Sequence, residues 1–435
     1  MHEATRSSAA LLRRALLGAA ALALVAWLAA DAATAAERLT VIGHAVHQRA
    51  LSEGAGGNVL EDWARANDVE VEWVTLGVPE VHERLYRELT LGQGEFDVAF
   101  ILHRLLRPSV FGQLVALDEF QAEEPIEDLD GIAPGMRAGF THAGKTYAIP
   151  YRHATDGLHY NEAFFAERGV EGPPGTLEEM LELAQKLTYT RDDGTQVHGL
   201  LLDGVQASNV INLARAWNGD FITDDFRVAV AEPGMVQAVA TLKRLYDAGV
   251  LPRAFTNFTT EDVITFMQQG RAAMAISPYG RFRNFNDAAQ AKFAGSIDVA
   301  PVPIAEALRG EFEVAPAKTD IWAVAIPANG RNAELAWSFI RHISGPDATI
   351  RAALNGNGPV RPAAYDDPRV QERVPYWQAE AAAIRTARAA LPGFEQAAKA
   401  QDLFIEEVQA VLLGAKEPQA AMDDLARRLE PLLPQ

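Results

Sequence analysis

Residues 147–161 (YAIPYRHATDGLHYN) crowd Arg152, His153, Thr155 and Asp156 into one short stretch. These side chains supply a planar fork of donors, an imidazole, a hydroxyl and a carboxylate, a set suited to a hydroxyl-rich or anionic small molecule. Pro150 excludes a helix interior and pushes its predecessor toward extended geometry, so residues 147–151 are predicted as strand, with a second short strand over 157–160. A buried strand would not carry unpaired charge between those two pieces, because desolvating it is costly. The polar residues are therefore expected in a cleft, where the chain crosses from one domain to another.

Other residues able to do chemistry are scattered. His44 and His47 have H-x-x-H spacing after the apolar run 39–43. That could supply two metal ligands, but without cysteine or a carboxylate motif nearby they read as solvated or ligand-facing. His103 and Arg104 follow the apolar run 96–102 (FDVAFIL). Trp217 opens the turn WNGD and Tyr279 follows the run 272–276; each can offer a ring face to the C–H side of a sugar or fill a core, and so can Trp322.

Residues 139–146 (GFTHAGKT) fit the phosphate-loop pattern G-x-x-x-x-G-K-[ST]. That chemistry needs a buried strand before the loop and a helix N-terminus facing the phosphates. Here Pro134, Gly135 and Arg137 come before and the strand-forming YAIP after, so the match reads as a hairpin turn at 143–145. Neither G-x-S-x-G nor H-E-x-x-H occurs, and acid pairs such as Asp224–Asp225 and Asp423–Asp424 are adjacent and solvated.

The elements that must position these residues follow from periodicity. Runs 39–43, 69–76 and 96–102 are strands; Val59, Leu60 and Trp63 mark one intervening helix, and Val81, Leu85 and Leu89 the next. This β-α-β-α-β order implies a parallel sheet flanked by helices. Ligands sit beyond the carboxyl ends of such strands, where His44, His103 and Arg104 stand. Further on, Thr176–Glu179 is a capping box, 197–202 and 272–276 are strands, 321–326 is a second return between domains, and 355–362 (NGNGPVRP) is a loop. No coiled-coil heptads appear, and a monomer is expected.

The chain has 435 residues, more than one ordinary core accommodates, so two lobes are expected. With 49% hydrophobic and 22% charged residues it is neither disordered nor a multi-span membrane protein. Residues 1–36 read as an export signal: Arg6, Arg13 and Arg14, an uncharged run over 15–30, then small residues for cleavage. The chain contains no cysteine, so no disulfide and no lipid-anchoring thiol are expected, and the mature protein is placed free in the periplasm. Net charge is −19, and −20 without the leader, which excludes a nucleic-acid partner.

Taken together, several segments resemble the carbohydrate-type extracellular solute-binding proteins that feed ABC importers. They are LTVIGHAVHQ, GQGEFDVAF, the crossing with its hairpin, TLEEMLELAQKLT, WNGDF, FMQQGRAAMAISPYG, IDVAPVP, AWSFIRHISGP, NGNGPVRP and the C-terminal VQAVLLGAKEPQAAMDDLARRLEPLL. The resemblance implies a two-lobed α/β periplasmic binding protein fold. Each lobe would be a mostly parallel sheet flanked by helices, with hinge strands between them, no catalysis and no cofactor. Lobe 1 is then assigned to 37–150 and 272–326, and lobe 2 to 151–271 and 327–435. Carried over by position, the ligand site comprises His44, His103, Arg104, Arg152, His153, Asp156, Trp217, Tyr279 and Arg361, with no metal ligands. It departs from many sugar binders of the family in being rich in Arg and His. The implied function is capture of a sugar, sugar acid or polyol for a membrane permease. A periplasmic carbohydrate-active enzyme, the alternative, would need a carboxylate pair flanking the scissile bond, and none can be assigned.

Overall fold

A computed structural model describes residues 36–92 and 94–434, so the expected export signal lies outside the described residues apart from its last residue. Strand β1 (Glu37–Gly43), buried through Leu39, Val41 and Ile42, pairs in parallel with β2 (Val69–Thr75) and with β3 (Val98–Leu102). Helix α1 (Ala45–Ser52) leaves the end of β1, and α2 (Val78–Leu91) connects β2 to β3. Helix α2 buries Val81, Leu85 and Leu89, the stripe its spacing demands, and ends on Gly92 at φ 68°, a left-handed cap that glycine adopts without strain. The phosphate-loop match is a hairpin: Thr141–His142 pairs with Lys145–Thr146, with Ala143 and Gly144 both at positive φ.

The crossing is one continuous strand rather than the two short ones expected. Strand β4 (Ala148–Asn161) runs through 14 residues. Beyond Asp156 it belongs to the second lobe, whose sheet adds β5 (Leu201–Leu202), β6 (Met274–Pro278) and β7 (Ile297–Ala300). Strand β6 lies antiparallel to β4, with Pro278 opposite Asp156, and parallel to β5; β7 pairs antiparallel with the other edge of β4. Before Asp156 the strand belongs to the first lobe, where β8 (Lys318–Ala325) lies antiparallel between β4 and β3. The register slips between Trp322 and Ala323, opposite Pro150, which has no N–H to give the ladder. A third connection passes through β9 (Arg388–Ala389), parallel to the first residues of β8.

In the second lobe, helices α3 (Ala207–Arg215) and α4 (Pro233–Asp247) pack against the sheet. Helices α5 (Ala333–Ser344), α6 (Pro346–Leu354) and α7 (Trp377–Ala383) return to the first lobe, and α8 (Ala397–Leu412) to the second. Among the described residues there are two main cores. One joins Val41, Phe100 and Ile149 to Ala323, Phe339, Tyr365 and Ile384; the other joins Leu158, Leu201 and Ile276 to Val302, Phe394 and Phe404. This corrects the expected division of the chain. Residues 272–317 pack in the second lobe because β6 pairs with the far half of β4, and residues 327–384 stay with the first. Within the described residues the chain therefore crosses three times, at 155–156, 317–320 and 384–390.

Candidate functional site

A cavity of about 920 Å³ opens where the lobes meet, within the range of small-molecule sites. The first lobe lines it with His44, Arg49, Arg152, His153, Asp320, Trp322, Asn357, Tyr376 and Glu380 among others; the second contributes Pro278, Gly280, Arg281, Arg283 and Asn284. Among the described residues no group of three or more His, Cys, Asp or Glu could hold a metal ion.

The H-x-x-H spacing serves to cap a helix. His44 precedes α1, and its Nδ1 accepts from the Val46 N–H at 3.2 Å, while His47 Nδ1 accepts from the His44 N–H at 3.3 Å. Burial, then Arg152, Arg49 and Arg281, hold the His44 imidazole below its ordinary pKa. It is neutral at pH 7, and with Nδ1 accepting, its proton sits on Nε2, making His44 a donor at the cavity wall. His47 is a core residue, fully buried and stacked 4.4 Å from the Phe100 ring.

At the crossing, Arg152 Nη1 donates to Asn357 Oδ1 at 3.3 Å, and Asn357 in turn donates to the Tyr151 carbonyl. The loop 355–362 thus forms a wall of the site. Its Gly358 sits so close that a Cβ there would lie 2.2 Å from the His153 carbonyl oxygen. His153 is buried and linked through Nδ1 to Thr155 Oγ1 at 2.9 Å and through Nε2 to the Tyr365 hydroxyl at 3.1 Å. The Thr155 hydroxyl donates to Thr319, so the His153 Nδ1–H donates to Thr155, and the single Tyr365 hydroxyl proton lies between His153 Nε2 and the Glu380 carboxyl. Burial, reinforced by Arg152, lowers the His153 pKa to about 3. Burial pushes the Glu380 carboxyl up to about 7, against its hydrogen bond to Tyr365 and the charge of Arg152.

The expected site residues divide. His44, Arg152 and His153 line the cavity, and Arg104 adjoins it by holding Asp320 through a 3.1 Å bond from Nε. Asp156 does not line it. Its Oδ2 accepts from Asn212 at 2.7 Å and lies 3.3 Å from Lys318 Nζ, inside the hinge. Burial raises the Asp156 pKa to about 6 despite Lys318, whereas for Lys318 the opposing effect of burial is outweighed by Asp156, Asp320 and Asp203.

His103 is buried beneath Gly139 and Phe140 in the first core, since the strand end turns inward there. Trp217 packs against the second core, so the ring-stacking role expected of it falls elsewhere. Tyr279 is buried behind the wall: its hydroxyl donates to the Ala379 carbonyl, and its ring stacks 5.9 Å from Tyr376, which does face the cavity. Arg361 is a core arginine bonded to the Ser344, Asp128 and Glu127 carbonyls and the Asp128 carboxylate.

Arg281, Arg283 and Asn284 were missed, although they follow β6 as His44 follows β1, and the strand-end rule applied there would have found them. Tyr376 and Glu380 bracket the first turn of α7 in an alanine-rich stretch, and nothing in their types or spacing marks them.

The sequence profile described as "Bacterial extracellular solute-binding protein" matches residues 58–378. The chain belongs to that family. A Deinococcus radiodurans protein named "Probable ABC transporter-binding protein" is 24% identical over 355 residues, 79% of this chain and 82% of that one. The "Mannitol-binding protein" of Pseudomonas aeruginosa is 24% identical over 282 residues, 62% of this chain and 61% of that one. Among solved structures, the ABC transporter solute-binding protein of Thermotoga lettingae bound with α-D-tagatose aligns with a TM-score of 0.75 at 25% identity, covering 91% of this chain and 99% of that one. This extracellular solute-binding protein is a receptor, not an enzyme, and its two lobes are the fold of periplasmic binding proteins.

Proposed function

We propose that this solute-binding protein is exported to the periplasm and works as a monomer. It captures a small polyhydroxylated ligand of the sugar and polyol class in the cavity between its lobes and delivers it to the permease of an ABC importer. The observation that carries this reading is the cavity itself, walled by side chains of both lobes at the strands that join them. A ligand touching both walls favours the closed arrangement by its differential contacts, so binding shifts the population toward closure. The names of relatives that bind mannitol or tagatose support the ligand class.

Calorimetric titration with hexitols, ketohexoses and their acids, followed by small-angle scattering of the saturated protein, tests it. Saturable 1:1 binding with a smaller radius of gyration is expected. An unchanged radius at saturation would refute the hinge mechanism, and the absence of binding by any sugar, polyol or sugar acid would refute the ligand class.

A further inference from the structure

Among the described residues, the arginines of this protein are treated in two ways. Those in the interior are held by several acceptors each. Arg215 donates to the Pro316, Arg388 and Ala389 carbonyls and to Asp220, and Arg361 is bonded to three carbonyls and a carboxylate. The cavity holds the other kind. Arg49, Arg152, Arg281, Arg283 and Arg373 all line it, and among the described residues none of the five has an ion-pair partner within 4 Å.

Arg152 belongs to the crossing strand and is half-buried. Its one hydrogen bond, to Asn357 at 3.3 Å, leaves four of its five N–H donors unused. Arg281 faces the same space from the other lobe and is also half-buried, with no hydrogen bond from its guanidinium to the described residues.

The carboxylates of the wall do not balance this charge. Asp320 is held by Arg104 and lies 3.6 Å from Lys318, Glu380 is engaged with Tyr365 and shares the charge of Arg152, and Glu53 is exposed, as are Arg49, Arg283 and Arg373, which leaves Arg281 as the half-buried guanidinium with no carboxylate among the described residues. The excess of positive charge stands out in a chain of net charge −19. Arg152 and Arg281 are partly withdrawn from water with donors unused, a cost that an anion relieves, and their planar forks match a carboxylate or phosphate.

We infer that the ligand is a polyol or sugar bearing an oxyanion, carboxylate or phosphate, received between Arg152 of the first lobe and Arg281 of the second. This rests on the cavity being the ligand site. It also supplies a reason for closure: like charges on facing walls oppose approach of the lobes, and an anion between them converts that repulsion into attraction from both sides. His44, Asn284 and Asn357 remain to meet hydroxyls, and Tyr376 to meet a C–H face.

The test pairs each neutral compound with its acids. Glucitol and glucose are titrated beside gluconate and glucose 6-phosphate, and galactose beside galacturonate. An acid of at least one pair is expected to bind 10-fold or more tightly than its neutral counterpart, roughly the worth of one charge-assisted contact, and to weaken with added salt. Which acid prevails separates carboxylate from phosphate.

Arg281→Gln, whose parent has no partner among the described residues to lose, should weaken the acid about 10- to 100-fold, a larger loss than for the neutral compound, at an unchanged thermal unfolding midpoint. If neutral compounds bind and their acids bind no better, or if both Arg281→Gln and Arg152→Gln leave acid binding intact, the anion inference fails while the proposed function stands. If neither member of any pair binds, both fall.

Discussion

Arg361, at 2% exposure, donates to the Ser344, Asp128 and Glu127 carbonyls and meets the Asp128 carboxylate, tying the loop after α6 to the segment before Ile132. Truncation would strand several buried acceptors at once, so Arg361→Ala is expected to cost about 3 kcal/mol in urea unfolding while leaving the affinity of the folded fraction unchanged. A loss of affinity at unchanged stability would return Arg361 to the site. Trp217 and Tyr376 make the matching contrast among aromatics. Tyr376 faces the cavity, so Tyr376→Ala should weaken ligand binding by about 0.5–1.5 kcal/mol. Trp217 lies against the second core, so Trp217→Ala should lower stability and leave the dissociation constant where it was. The reverse pattern in calorimetry would show that the ring nearest the ligand has been misassigned. Residue types alone could not separate these cases, because an arginine or a tryptophan near a loop serves a core and a site equally well until its partners are known.

At the scale of elements, the sequence was informative wherever the pattern was local. The stripe of α2, the strand ends carrying His44 and Arg104, the hairpin that imitates a phosphate loop, and the Thr176 hydroxyl accepting from the Glu179 N–H at 3.1 Å all follow from neighbours in the chain. What was not legible depends on pairing across long separations. The polar stretch of β4 stays in strand because Thr319 and Asp320 lie opposite Thr155 and Ala154, with Lys318 beside Asp156; no local pattern announces that the compensating charges come more than 150 residues later. The loop 355–362 was likewise recognisable as a loop but not as a wall of the site. Its role gives a prediction. A Cβ on Gly358 would meet the His153 carbonyl at 2.2 Å, a backbone atom that cannot swing aside, so Gly358→Ala must push the loop off β4. The expected cost is about 1–3 kcal/mol of stability, together with weaker ligand binding, because the adjacent Asn357 holds Arg152. A variant with parental stability and affinity would show that the loop is not what fixes the Arg152 guanidinium.

For the molecule as a whole, the lobes and their joining strands were expected, but the share of chain in each was not, since only the pairing of β6 with β4 assigns 272–317 to the second lobe. The same burial that builds the two cores sets how stability responds to pH. Seven histidines, His44, His47, His82, His103, His153, His159 and His198, are held below their ordinary range, first by burial; His82 and His159 reach about 4 and His153 about 3. Each takes up a proton on unfolding between its folded value and about 6.5, so its contribution is fully present above pH 6.5 and is lost as pH falls. Three carboxyls work the other way. Asp156, Asp203 and Glu380 are raised by burial, to about 6 for Asp156 and about 7 for Glu380, and they release a proton on unfolding as pH falls from those values toward 4. With seven groups of one sign against three of the other, proton uptake wins below pH 6.5. The urea midpoint is therefore expected to be lower at pH 5 than at pH 7, with net proton uptake measurable when the protein unfolds near pH 5.5. A midpoint that rises on acidification would mean that the imidazoles at the crossing and in the cores are not held neutral, and that His44 Nδ1 is not an acceptor for the Val46 N–H.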